Sequence, residues 1–252
     1  MRLRYFLGMV ATLSLTACSV DVDVYPTSKL TVKTPTKTPT NDSVKFEKVI
    51  LVDSKVINGD TVWNVINVTP GKTIELINGT YELLYVVSSY DNFFTITGYN
   101  YGDLDYSKAR VVYNGNQQTM TSLGHIFYDR KTVTVPGAGS VSVSPHALTQ
   151  EYTIQWTVTA EREAAFKEKP TGGVMGNLPS SFSLKTGKPA ESGSLKVNFS
   201  FTPETLSSGS VKRTAKVILP IMDKLPEKFY LRTSNSSKDC DFTIDNDTIT
   251  IK

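Results

Sequence analysis

Cys18 is the residue whose neighbours give it the most evident chemistry. It follows Leu15, Thr16 and Ala17, at the end of an apolar run over 5–15 that begins behind Arg2 and Arg4. That charged-then-apolar order is the pattern of an export signal, and it brings the thiol to a membrane surface as a sulfur nucleophile. Other reactive groups are sparse. His125 and His146 are the two histidines, and neither has a second His or Cys at metal-ligand spacing. Asp239, Asp241, Asp245 and Asp247 cluster near the C-terminus. Asp245-Asn246-Asp247, however, lacks the glycine and terminal glutamate of a calcium loop and reads as a hairpin turn. No nucleophile elbow, phosphate-binding loop, zinc-protease helix or dinucleotide fingerprint occurs, and Gly137-Ala138-Gly139 lacks the third glycine and the helix that such a site needs. The expectation is no catalytic residue, no metal, no cofactor and no enzyme.

The tetrapeptide Leu15-Thr16-Ala17-Cys18 resembles the lipobox of bacterial lipoproteins. In that family the cysteine takes diacylglycerol, the chain is cut just before it, and the new amino group takes a further acyl chain such as palmitate. Two or more chains hold a protein stably, at roughly 0.8 kcal/mol per buried methylene. The resemblance thus makes 1–17 a signal peptide and Cys18 the lipidation site. The apolar run is too short to be a transmembrane helix. Asp21 and Asp23 resemble the acidic export signal that sends lipoproteins of Gram-negative gut and oral anaerobes to the outer face of the cell. The expected location is therefore the cell outer membrane, lipid-anchored and surface-exposed.

Charge excludes one class of partner. Of 27 Lys and Arg, two leave with the signal, so 25 face 24 Asp and Glu, and Lys212-Arg213 is no more than a pair inside an alternating run. Nucleic acid binding needs a basic patch that this chain lacks. With Cys18 lipidated only Cys240 remains, which leaves no intrachain disulfide and a structural thiol.

Residues 18–42, with Pro26, Pro35, Pro39 and a Thr/Lys-rich stretch between, predict an extended tether. Beyond it the pattern turns to short alternating runs. In Tyr152-Thr153-Ile154-Gln155-Trp156-Thr157-Val158 the apolar side chains fall on even positions, and in Leu195-Lys196-Val197-Asn198-Phe199-Ser200-Phe201 on odd ones, so each presents one apolar face. Further strands are expected over 48–57, 81–87, 93–97, 132–135, 211–219, 229–232 and 248–251. Asn58-Gly59-Asp60, Asn78-Gly79-Thr80 and Asn114-Gly115-Asn116 supply tight-hairpin chemistry. One helix is expected, over 160–169, stopped by Pro170 and Gly172-Gly173. The fold class is all-β. Length and strand count favour two tandem sandwiches, 43–145 and 146–252, with a soft boundary near Pro145.

Aromatics are the remaining binding chemistry. Trp156 shares its face with Tyr152, Ile154 and Val158 and is expected inside. Trp63 does not choose a face. The loop carrying Tyr99, Tyr101 and Tyr106 is the candidate exposed contact patch.

Larger motifs carry a second resemblance. Pro70-Gly71-Lys72, Asn78 to Tyr85, His146-Ala147-Leu148-Thr149-Gln150-Glu151-Tyr152-Thr153-Ile154 and Gly172-Gly173-Val174-Met175-Gly176-Asn177-Leu178, behind a lipobox, resemble the FimB-like fimbrillin-associated anchor lipoproteins. The resemblance implies two tandem transthyretin-like or immunoglobulin-like β-sandwiches. It implies as partners the outer membrane, through the lipid, and fimbrillin-type subunits joined by β-strand donation. The second reading is a surface glycan-binding lipoprotein of a polysaccharide-uptake system. Asp42-Ser43-Val44, Asp60-Thr61-Val62 and Asp247-Thr248-Ile249 match the Asp-Ser/Thr-aliphatic O-glycosylation pattern of the same anaerobes, with Ser43 the accessible candidate.

Overall fold

The computed structural model describes residues 25–57, 60–90, 94–97, 108–113, 119–120, 124–137, 139–165, 169–189, 193–221, 229–232 and 237–252. They form five β-sheets and one short helix. The first sheet has β1 (Thr27–Lys33) at its centre, parallel to β10 (Ser140–Ser142) and antiparallel to β4 (Thr73–Ile77). The second runs β11 (His146–Ala147), β9 (Ile126–Val135), β5 (Gly79–Ser88), β2 (Phe46–Ile57), β3 (Asp60–Val68). In the third, β12 (Thr149–Thr159) lies between β17 (Ser210–Pro220) and β21 (Thr248–Ile251), with β16 (Thr202–Thr205) and β20 (Phe242–Asp245) outside them. The fourth runs β19 (Ser237–Asp239), β18 (Phe229–Arg232), β13 (Gly172–Leu178), β15 (Leu195–Ser200), β8 (Thr119–Met120). The fifth is β14 (Ser181–Ser183), β7 (Arg110–Tyr113) and β6 (Phe94–Thr97). The helix α1 (Ala160–Ala164) is shorter than expected; Thr159 Oγ1 caps its start by accepting from the Arg162 amide at 3.2 Å.

Side-chain parity explains the layering. Successive strand residues point to opposite faces, yet β5 is buried at every position from Leu83 to Ser88. The second sheet is therefore covered on both sides. One face, carrying Val49, Leu51, Tyr81, Leu83, Tyr85, Val87, Phe127 and Val133, shares a core with Leu30, Val32 and Leu76 of the first sheet. The other, carrying Ile50, Val52, Leu84, Val86, Ile126 and Tyr128, joins a larger core with Val111, Phe182, Ile154, Trp156, Met175 and Val197. Trp156 lies inside, as its spacing predicts.

The tether expectation is corrected in its second half. Thr27–Lys33 is a strand, and Leu30 (4 % exposed) and Val32 (0 %) are core residues. Two apolar side chains at period two suffice when neighbours flank them on both edges, even in Thr/Pro-rich sequence. The segment after β1 is a fixed loop: the Asp42 amide donates to Thr38 Oγ1 at 3.1 Å, and Asn41 takes φ 66°.

One of the turn expectations also changes. Asn78 links β4 to β5, which belong to different sheets, so it is a crossing and not a hairpin. Asn58-Gly59 and Asn114-Gly115-Asn116 lie outside the described residues, although β2 and β3 do pair as a hairpin up to Ile57↔Asp60. Asp245-Asn246-Asp247 is the expected hairpin turn between β20 and β21, with Asn246 at φ 53°. Near the expected boundary, β11 still pairs with β9, while β7 and β8 pair with β14 and β15. A cut at Pro145 would thus separate three pairs of strands.

Gly172 and Gly173, expected to stop a helix, are strand residues between β15 and β18. A Cβ on Gly173 would meet the Tyr230 carbonyl oxygen at 2.5 Å and Phe199 Cε1 at 2.9 Å, as well as Phe199 Cζ. Backbone on one side leaves little room to relax. Gly173→Ala is expected to destabilise the protein by about 1–3 kcal/mol, read as a lower denaturant midpoint at unchanged m-value.

Candidate functional site

Among the described sequence candidates, Ser43 and His125 line one depression, whereas His146, Cys240 and Thr248 are not part of its lining. Cys18, Tyr99, Tyr101 and Tyr106 lie outside the described residues, as does the side chain of Trp63. Ser43 is exposed and forms a β-bridge with Lys37. Thr248 is half-buried in β21, paired with Thr153. His125 is half-buried and stacks on Phe127 with ring centroids 6.0 Å apart. His146 is exposed on β11, edge-on to Tyr128 at 5.7 Å. Cys240 is half-buried against the larger core.

Tyrosines beneath this surface are structural. Tyr85 Oη donates to Glu47 Oε1 at 2.8 Å; burial first, then that hydrogen bond and the Glu47 charge, raise its pKa. Tyr128 Oη donates to the Leu184 carbonyl, and burial, with a smaller push from Asp129, raises its pKa as well. Both phenols stay protonated as hydrogen-bond donors at physiological pH.

The feature that the topology brings forward is an edge. β3 has nine residues and ends the second sheet, and among the described residues no strand pairs with its outer side. Its sequence, Asp60-Thr61-Val62-Trp63-Asn64-Val65-Ile66-Asn67-Val68, contains no Lys, Arg or Pro. Sheet edges are ordinarily shortened, charged or broken by proline, because unpaired N–H and C=O groups recruit other strands. The remaining described edges fit that rule: β4 has five residues including Glu75, and β16 has four including Pro203. β6 and β20 have four each, β10, β14 and β19 have three, and β8 and β11 have two.

The β2–β3 hairpin also projects. β2 pairs with β5 only as far as Val52↔Glu82, but with β3 as far as Ile57↔Asp60. Residues 53–57 therefore overhang the pairing with β5, by roughly 16 Å at strand rise. Asn64 and Asn67 are exposed, Val65 and Ile66 half-buried. Such an arrangement offers backbone hydrogen bonds and alternating side-chain contacts to an incoming strand. Sequence reasoning missed it because edge status depends on pairing; the absence of Lys, Arg and Pro over 60–68, with Asp60 at the first position its one charge, was the available signal.

No protein-family model and no curated protein matches the sequence. Solved structures do match, over most of the chain and at low identity. A candidate adhesin from Bacteroides thetaiotaomicron superposes with a TM-score of 0.53 at 12% identity, covering 87% of this chain and 80% of that one. What is shared is the fold. A candidate adhesin from Bacteroides ovatus gives 0.52 at 14% identity, covering 87% and 78%. The fimbrial anchor protein Mfa2 from Porphyromonas gingivalis gives 0.50 at 9% identity, covering 84% and 79%. The same all-β layering is thus sustained by almost entirely different side chains.

Proposed function

We propose that this chain is a non-catalytic, fimbria-associated surface subunit, held at the outer membrane by lipid on Cys18, that receives a β-strand from a fimbrial partner along β3. The observation that carries the reading is the long, unguarded edge of β3 on a projecting hairpin. The fold likeness to candidate adhesins and to a fimbrial anchor supports it. Strand addition uses main-chain hydrogen bonds for affinity and alternate side chains for selectivity, so low identity among such proteins is compatible with one mode of assembly.

A photo-crosslinking residue at Asn64 or Asn67 in fimbriated cells is expected to yield an adduct with a fimbrial subunit. Absence of any adduct at both positions overturns the edge assignment. Proline substitutions sharpen the test. Successive N–H groups of a strand point to opposite sides, so Asn64→Pro and Val65→Pro should differ. One removes an N–H from the ladder with β2 and lowers Tm; the other removes an outward N–H, leaves Tm near that of the parent, and abolishes the adduct.

A further inference from the structure

An open depression of about 660 Å³ is lined by Asp42, Ser43, Lys45, Ser89, Tyr90 and His125, together with Ile218 of β17. It joins the loop after β1, the end of β5, the start of β9 and the third sheet. Its size falls within the range of roughly 300–1,000 Å³ common to small-ligand sites.

Tyr90 is held in place there. Gly124 is buried at φ 68°, and a Cβ at that position would come within 2.5 Å of Tyr90 Cδ2 and 2.8 Å of its Cγ. The ring therefore rests against backbone that glycine leaves bare. The Tyr90 amide donates to Ser88 Oγ at 3.1 Å, and Ser88 Oγ donates to the His125 carbonyl at 2.8 Å. Thr149 Oγ1 accepts from the Ile126 amide at 2.9 Å and donates to the Gly124 carbonyl at 3.3 Å. Ser88 and Thr149 are 0 % and 1 % exposed, so this bracing is internal, while Tyr90 itself is 41 % exposed. A braced backbone with an exposed ring presents an aromatic surface whose ordering is largely complete before anything binds.

Around that ring stand polar groups of opposite sign. Asp42 and Lys45 are exposed and line the same depression. Asp42 Oδ2 already accepts from Thr40 Oγ1 at 2.6 Å, which fixes the carboxylate. His125 adds a ring with hydrogen-bonding nitrogens. A sugar ring has the complementary chemistry: an apolar C–H face for the aromatic ring, and hydroxyls on its rim that both donate and accept. One carboxylate and one ammonium cancel in charge, which favours an uncharged ligand over an anionic one.

We propose that this depression binds a neutral oligosaccharide, one sugar ring lying against Tyr90 with its hydroxyls bonded by Asp42, Lys45 and His125. Such a contact would give the protein an adhesive function of its own, independent of strand docking at β3.

The test uses the full chain after removal of 1–17. It is run in affinity electrophoresis through soluble starch, xyloglucan, galactomannan and laminarin, with heparin as an anionic control. At least one neutral polysaccharide is expected to retard the parent protein. Tyr90→Ala should weaken that binding roughly tenfold, Tyr90→Phe should retain it, and Asp42→Ala at the exposed rim should weaken it with Tm unchanged. The proposal is overturned if no neutral polysaccharide retards the parent protein, if only heparin does, or if Tyr90→Ala and Asp42→Ala both bind as the parent does. Adduct formation at Asn64 should be unaffected by either variant, which separates this site from the edge.

Discussion

Cys18→Ser is expected to abolish incorporation of labelled palmitate and to remove the protein from the outer membrane fraction. The proposed anchor chemistry requires sulfur, because thiolate attacks carbon far more readily than a hydroxyl that stays protonated near neutral pH. Without the first acyl modification there is no diacylglycerol group, and the described residues contain no helix long and apolar enough to cross a membrane. A single acyl chain binds only marginally, with an association constant on the order of 10⁴ M⁻¹, so partial modification would not restore stable attachment. Fractionation after fatty-acid labelling reads the outcome directly. A Cys18→Ser protein that still carries label in the outer membrane would refute the anchor assignment.

Glu163→Ala should produce the largest loss of stability. Glu163 Oε1 accepts from Arg213 Nη2, and the two residues are 3 % and 8 % exposed. The pair fastens α1 to β17, at the point where Arg213 lies opposite Trp156 of β12. Arg213 Nε is buried with no hydrogen-bond partner among the described residues, so the guanidinium depends heavily on this carboxylate. Removing Glu163 leaves an uncompensated buried cation, at a cost of roughly 3–5 kcal/mol. For a chain of this size that corresponds to a fall in Tm on the order of 10 °C. The double replacement Glu163→Leu/Arg213→Met removes both charges while keeping volume, and is expected to recover most of the loss. If the single and double variants melt together, packing and not charge holds α1 in place.

Regular alternation in β12 and β15 made their faces legible from sequence, because each buries one side only and period two is then unmasked. β5 was legible as a strand but not as the middle of three layers; its run Leu83-Leu84-Tyr85-Val86-Val87 is continuous because both faces are covered. β1 was concealed by composition, since threonine and proline dominate its surroundings while Leu30 and Val32 alone mark its buried side. Gly172 and Gly173 carried the wrong local signal. Their glycines serve close approach to Phe199 and Tyr230, contacts separated by more than twenty residues and invisible to any local window. The depression beside Tyr90 was illegible for the same reason, being assembled from four separate stretches of chain.

The place of β1 has a mechanical consequence. If Cys18 is fixed in a membrane, tension from outside reaches this strand from its Thr27 end. There it meets two ladders at once: Thr27↔Ile77 to Thr31↔Thr73 on one side, and Thr31↔Ser140 to Lys33↔Ser142 on the other. A pull along the strand axis loads those hydrogen bonds together, in shear, whereas a pull at right angles would open them one after another like a zip. Leu30 and Val32, seated in the core, would have to be dragged out in the same event. The first strand thus grips the fold along the line of force, with both ladders and two core side chains resisting together.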